Sequence, residues 1–234
     1  MKRKYYHLIF LIIVIVASIL FSEKGIIVMK NLLNHKTGEI IVVIDAGHGG
    51  FDPGKVGINN ILEKDINLSI AYKLKSLLEQ NDIKVIMTRK DGKGLYTKYD
   101  KDKKRTDMKK RASIINSSDA LLAVSIHQNS FTKESSWGAQ VFYYQKSAAG
   151  KMLAEIIQDN MKMSLKDGNH RLAKPNNTYF MLKNSNCPLV IVECGFLSNR
   201  KEAVMLTDEI YQEKVAWAIH LGIMEYINSY KKKI

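Results

Sequence analysis

The chain has 234 residues, 46% of them hydrophobic and 25% charged. These are the proportions of an ordinary globular protein with room for one sizeable domain, and they leave no place for a repeat or low-complexity architecture. The net charge of +13 is unusual: the first 30 residues carry +4 of it and the remainder still carries +9. Such a chain is drawn to polyanions, whether nucleic acid, anionic lipid or acidic wall polymers. No basic-aromatic recognition module accompanies the charge, so nucleic acid is set aside as a partner.

The first segment reads as targeting. Lys2, Arg3 and Lys4 precede an apolar run from Leu8 to Phe21. That run suits the core of a signal peptide better than a full span, which needs about 20 residues. No A-x-A cleavage site and no lipobox cysteine follow, and Ile26–Met29 resumes the apolar run weakly. Residues 1–29 are therefore a signal peptide or a membrane anchor with its basic end inside. Residues 30–39 are a tether, and residues 40–230 the domain, which either alternative places outside the cytoplasm.

The domain opens with Ile40–Ile44, a β-branched run that predicts a fully buried strand. It stops at the turn Ala46-Gly47-His48-Gly49-Gly50, so His48 belongs at the carboxyl end of a core strand. Asp65 is placed to cap a helix with Ile66, Ile70, Leu74, Leu77 and Leu78 at helical spacing. Ile83–Met87 predicts the next strand, and strand–helix–strand order implies a right-handed crossover and mainly parallel pairing. Ala112–Ile115 falls in a further helix. Ala120–Ile126 and Trp137–Tyr144 are strands, Ala148–Met161 is helical, and Val190–Glu193 is a buried strand. A last helix from Asp208 to Tyr226 has Val215, Ile219, Ile223 and Ile227 on one face. The expected fold is a single α/β domain, a mainly parallel mixed sheet with helices on both faces. The basic stretch 90–111 reads as a solvated loop leading into a helix, with a wall-facing or partner-facing surface as the alternative.

The chemistry lies at strand ends. His48 and His127 each sit at or just past a hydrophobic strand, and Glu63 lies between them at the start of a helix. A lone histidine there is more often a turn residue, and a lone glutamate a helix-dipole partner. Together they form a candidate His-Glu-His set, and zinc held by three such ligands keeps one position open for water. The set is discontinuous, so spacing alone is moderately specific. Glu193 is a carboxylate on a buried strand, costly unless paired or functional. Cys187 and Cys194 flank an extended strand, too far apart for a disulfide, and are expected as separate thiols. His7, His35, His170 and His220 lack comparable context.

Four segments in order, IDAGHGGFDPG, LEKDINL, SIHQNS and IVECGFLSN, resemble the signatures of the zinc-dependent N-acetylmuramoyl-L-alanine amidases, the Amidase_3 family. The resemblance spans about Ile40 to Tyr226. It implies one Zn2+ held by His48, Glu63 and His127, and Glu193 as the catalytic carboxylate, taking a proton from water and passing it to the departing amine. The bond cut would join N-acetylmuramic acid to L-alanine. Asn129 is either a substrate contact, a support for the ligands, or a turn residue. Asp45 either orients His48 through its second nitrogen or closes the turn.

The segment KKRASIINSSDALLAVSIHQNS, the segment WGAQVFYY and the lack of wall-binding repeats resemble the germination-specific members of the family. That implies spore cortex peptidoglycan as substrate, a step before muramic-δ-lactam formation, and a location between the forespore membranes or in the cortex. An extracytoplasmic activating or targeting protein is an expected partner, beside peptidoglycan and the membrane reached by the N-terminal segment. The alternatives are another zinc peptidase of peptidoglycan stems, or a non-catalytic wall-binding protein that keeps the fold.

Overall fold

The computed structural model describes residues 39–231, together with residues 5, 6, 9 and 11–14, which are helical. Most of the targeting segment and the tether lie outside the described residues. Among those described, no helix is long and apolar enough to cross a membrane.

Residues 40–234 form one unit built on a six-stranded sheet. The strands are β1 (Ile41–Ala46), β2 (Lys84–Met87), β3 (Leu122–Asn129), β4 (Gln140–Tyr144), β5 (Lys174–Asn176) and β6 (Leu189–Phe196). Their spatial order is β2-β1-β3-β6-β4-β5. The pairs among β2, β1, β3 and β6 are parallel, β4 is antiparallel to β6, and β5 is parallel to β4. The mainly parallel mixed sheet is thus as expected.

The central strands are buried on both faces, as parallel strands between helical layers must be. Val42, Ile44, Leu122, Val124, Val190 and Val192 join one core; Val43, Ala123 and Ile191 join another on the opposite face. The period of two in these strands sends alternate side chains to the two cores. The first core is covered by α1 (Glu63–Glu79), α3 (Ala148–Leu165) and α6 (Glu209–Lys231). The second is covered by α2 (Lys103–Asn116) and the short α4 (Phe180–Lys183), through Ala112, Ile115, Met181 and Leu182. A further short helix, α5 (Arg200–Met205), follows β6.

Several local expectations are corrected. Asp65 does not cap α1: the helix begins at Glu63, and its cap position, Leu62, has no side-chain cap bond. The loop before it supplies acceptors instead. Glu63 N–H donates to the Lys55 carbonyl and Lys64 N–H to that of Pro53. Helix α2 starts at Lys103, so the last nine residues of the basic stretch, 103–111, are helical rather than loop. Asp102 accepts from the Arg105 N–H and caps it. β4 begins at Gln140, not Trp137, because Gly138 between them has a φ of 92° that extended strand cannot use. β6 runs on to Phe196, which puts Glu193 inside the strand rather than at its end. The three-residue β5 and the short α4 and α5 carry too little periodicity to be read from the chain.

Candidate metal centre and active site

The turn after β1 bends back at once. His48 takes a φ of 62°, in the left-handed region, and Gly47 lets the turn lie against β3. A Cβ on Gly47 would stand 2.3 Å from the His127 ring, so no larger residue fits unless that ring moves. Gly54, with a φ of 68°, fills the same need on the other side: a Cβ there would stand 2.5 Å from Glu63 Oε2 and 2.7 Å from the His48 ring. His127 is near the end of β3, and Glu63 is the first residue of α1.

These elements bring three ligand atoms to one point. Glu63 Oε1 lies 3.1 Å from His48 Nε2 and 2.9 Å from His127 Nδ1. One ligand atom from each residue falls within 4.8 Å of the others. The two imidazoles meet edge to face, with centroids 4.9 Å apart. Glu63 is also fixed from behind: Oε2 accepts the Lys55 N–H at 2.7 Å, and Oε1 accepts the Gln128 N–H at 3.1 Å and Asn67 Nδ2 at 3.2 Å. Asp52 Oδ2 contacts the far nitrogen of His48, Nδ1, at 3.0 Å.

Electrostatics favour a charged centre. Burial opposes ionisation of Glu63, but hydrogen bonds and charge from His127 and His48 outweigh it and hold its carboxyl well below the usual range. Burial likewise opposes charge on His127, and Glu63 overcomes it, raising the imidazole to about 8. Two imidazole nitrogens and a carboxylate converging this closely fit a divalent cation of the zinc type, which would take the place of the shared protons.

Glu193 completes the group from β6. It is the register partner of His127 on the neighbouring strand. Burial pushes its carboxyl up to about 7, against the lowering effect of His127, and its Oε2 is buried with no hydrogen-bond partner. A buried carboxylate oxygen left unpaired is stored capacity for a proton or a substrate donor.

Residues 42–225 match the Amidase_3 family, described as N-acetylmuramoyl-L-alanine amidase. The chain belongs to this amidase family. It is an N-acetylmuramoyl-L-alanine amidase, an enzyme that acts on peptidoglycan. It is 39% identical over 189 residues to the germination-specific N-acetylmuramoyl-L-alanine amidase of Bacillus subtilis, which covers 80% of this chain and 79% of that protein. Among solved structures it is similar to the CwlD amidase from Clostridioides difficile, determined in complex with the GerS lipoprotein. That match has 42% identity and a TM-score of 0.78, and covers 81% of this chain and 99% of that one. The catalytic domain of CwlV, an amidase from Paenibacillus polymyxa, matches at 32% identity and a TM-score of 0.71, over 81% of this chain and 98% of that one.

The amidase site opens into a cavity of about 330 Å³ lined by His48, His127 and Glu193 together with Phe51, Tyr96, Lys104 and Tyr179. Asp45 does not orient His48. Thr88 Oγ1 and Arg111 Nη1 donate to its Oδ1, and Ser125 Oγ to its Oδ2, while the two His48 nitrogens meet Asp52 and Glu63. Arg111 and Arg89 instead brace the turn. Arg111 donates to the Ala46 and His48 carbonyls, and Arg89 to those of Ala46, Gly47 and Lys64. Asn129 ends β3; its Oδ1 accepts the Ser130 N–H, and it is not among the residues that line the cavity.

Asp52, Tyr179, Arg89 and Arg111 were not legible as site residues. Asp52 had a signal, since it follows His48 by four positions across a Gly-rich turn. Both cysteines are free, and Cys194 packs in the core on the face away from the cavity.

Proposed function

We propose that the amidase uses zinc held by His48, Glu63 and His127, with Glu193 as general base and then general acid, on spore cortex peptidoglycan. The observation that carries the site is the convergence of both imidazoles on Glu63 Oε1, with the buried, unpaired Oε2 of Glu193 on the adjacent strand. The family's general dependence on zinc supports the choice of metal. Zinc, when bound, lowers the pKa of water and polarises the amide carbonyl.

The chain's own residues supply the rest. Asp52 fixes His48 by its Nδ1, so that Nε2 faces the centre. Glu193, poised near neutrality, accepts a proton from the attacking water. It then donates that proton to the nitrogen of L-alanine, so that the amine leaves neutral. The surrounding apolar strand residues keep this carboxylate in a low-dielectric setting.

The germination-specific role rests on the Bacillus subtilis relative and on the CwlD structure. By the same likeness, an extracytoplasmic protein of the lipoprotein class is a partner, and the enzyme works outside the cytoplasm, between the forespore membranes or in the cortex. The product would be peptide-free muramic acid, ready for muramic-δ-lactam formation.

The test uses the full chain on cortex peptidoglycan with and without added zinc, read by mass spectrometry. Zinc-dependent release of intact stem peptides with a free L-alanine amino terminus is expected. Release that persists after chelation, or cleavage at any other bond, overturns the proposal.

A further inference from the structure

Apart from Arg111, the basic stretch 90–111 has no role in the hydrolytic chemistry, yet it forms one wall of the cavity. Its loop is fastened at both ends. Gly50 N–H donates to the Gly92 carbonyl at 2.7 Å, and Phe51 N–H to the Tyr96 hydroxyl at 2.7 Å, tying the loop to the turn that carries His48. Leu95 N–H donates to Asp107 of α2 at 2.5 Å. The Phe51 and Tyr96 rings pack edge to face, 5.0 Å between centroids. Lys104, in the first turn of α2, is therefore presented to the cavity from a rigid rim.

The charge balance of the cavity singles this lysine out. Asp45, Asp52, Asp107 and Glu193 all line it, so an acidic ligand entering meets four carboxyl groups. Two non-histidine cations stand against them. Arg111 is buried and already donates to Asp107, Asp45 and the carbonyls of Ala46 and His48. Lys104 is mostly exposed and forms an ion pair with Asp52 at 3.6 Å, beyond an ordinary N–H···O bond. Asp52 itself is held by His48 Nδ1 and the Gly54 N–H. The neighbouring Lys103 is drawn to the Tyr96 ring, 5.8 Å from its centroid.

We infer that Lys104 is a specificity subsite for the peptide half of the substrate, binding the free α-carboxylate of the residue after L-alanine. The inference rests on the amidase reading and names which stems the site prefers: acidic peptides with that carboxylate free rather than amidated. The spacing agrees. Two extended residues span about 7 Å, and Lys104 Nζ and His48 Nδ1 meet the same Asp52 oxygen, at 3.6 and 3.0 Å. An ammonium on a four-carbon stem can swing from Asp52 to the substrate and there offset the repulsion from the cavity's carboxylates.

The test titrates the zinc-loaded full chain with two product peptides that differ only in whether the α-carboxyl of the second residue, D-glutamate, is free or amidated. The wild type should bind the free acid roughly tenfold tighter, as expected of one partly exposed charge-assisted hydrogen bond. Lys104→Met should bring the ratio to about one, and Lys104→Arg should restore most of it. The ratio of kcat/KM on the matching muramoyl peptides should move in parallel. A merely structural lysine would weaken both peptides alike and leave the ratio unchanged. That result, or no preference in the wild type, overturns the inference. A wild type that discriminates the peptides but hydrolyses neither muramoyl substrate instead sinks the proposed catalytic mechanism and leaves the subsite standing.

Discussion

Asp45 and Glu193 are buried carboxyl groups on β1 and β6, the two strands that flank β3, and they have opposite surroundings. Asp45 is saturated: Thr88, Ser125 and Arg111 bond both its oxygens, and against the cost of burial they hold its carboxyl down at about 2. Glu193 has a charged histidine near it and no hydrogen bond to Oε2, and burial carries it up to about 7. One carboxylate is committed to structure. The other is held in reserve. In this sheet, hydrogen-bond satisfaction separates the brace from the chemistry more sharply than burial does, since both groups are buried.

The largest effect expected from this contrast is catalytic. Glu193→Gln removes the proton acceptor while keeping the shape, and turnover should fall by roughly 10²–10⁴-fold with zinc content unchanged. Metal analysis beside a stem-release assay checks both halves, and undiminished turnover would remove Glu193 from the proposed mechanism. The same substitution should raise stability in the metal-free protein. The folded-state pKa of Glu193 is above its unfolded value, so ionisation costs stability as pH climbs from about 4.5 through 7. Chelated Glu193→Gln should therefore melt above the chelated wild type at pH 8, and the gap should close by pH 4.

Arg111→Met tests the other side. It leaves Asp45 charged, buried and without its ion partner, at a cost of about 3–5 kcal/mol in denaturant unfolding. It also frees the His48 carbonyl and leaves that of Ala46 to Arg89 alone, so zinc affinity should fall with it. A variant that keeps its unfolding midpoint would show that the brace is dispensable.

The pH response of Asp45 is smaller and opposite in sign to that of Glu193. Its folded pKa lies below that of an ordinary aspartate, so the stability it confers is complete above about pH 4 and is lost as pH falls through about 2. The shift corresponds to about 2 kcal/mol. Acid unfolding of the wild type and Asp45→Asn should therefore converge below pH 2. Curves that remain parallel down to that pH would assign the acid transition to other groups.

How much of this could be read from the chain follows the same division. The strands buried on both faces, such as Ile41–Ala46, and the helix with Ile66, Ile70 and Leu74 announce themselves by periodicity, so the sheet was legible. His48, Glu63, His127 and Glu193 stood out as candidates because glycine turns and apolar runs surround groups that would otherwise be out of place, and their expected roles came from the family resemblance. Arg111 was not: it sits in a run of lysines and arginines whose natural reading is solvent, and only the fold buries it against a carboxylate 66 residues away in sequence. Asp45 failed for the same reason. Proximity in sequence suggested His48, whereas the pleat turned its carboxylate toward Ser125 on β3 and Thr88 just past the end of β2.

Asp52 falls between the two kinds of carboxylate, which makes it the subtlest test. It is partly buried, and burial alone would raise its pKa, but the bond and charge of His48 and the Gly54 N–H lower it. Its partner nitrogen, Nδ1 of His48, is the one turned away from the proposed metal. Asp52→Asn keeps a side chain of the same size that can still accept a hydrogen bond through its amide oxygen, so the His48 tautomer should survive while the charge is lost. Ligand orientation then persists but the imidazole becomes a weaker donor, and zinc affinity should drop by roughly tenfold, at the low end of what such supporting groups contribute. Competition against a chelator of known affinity measures this directly. A loss as large as that of His48→Ala would mean that Asp52 holds the turn itself, and no loss would mean that the His48 carbonyl bond from Arg111 orients the ring without it.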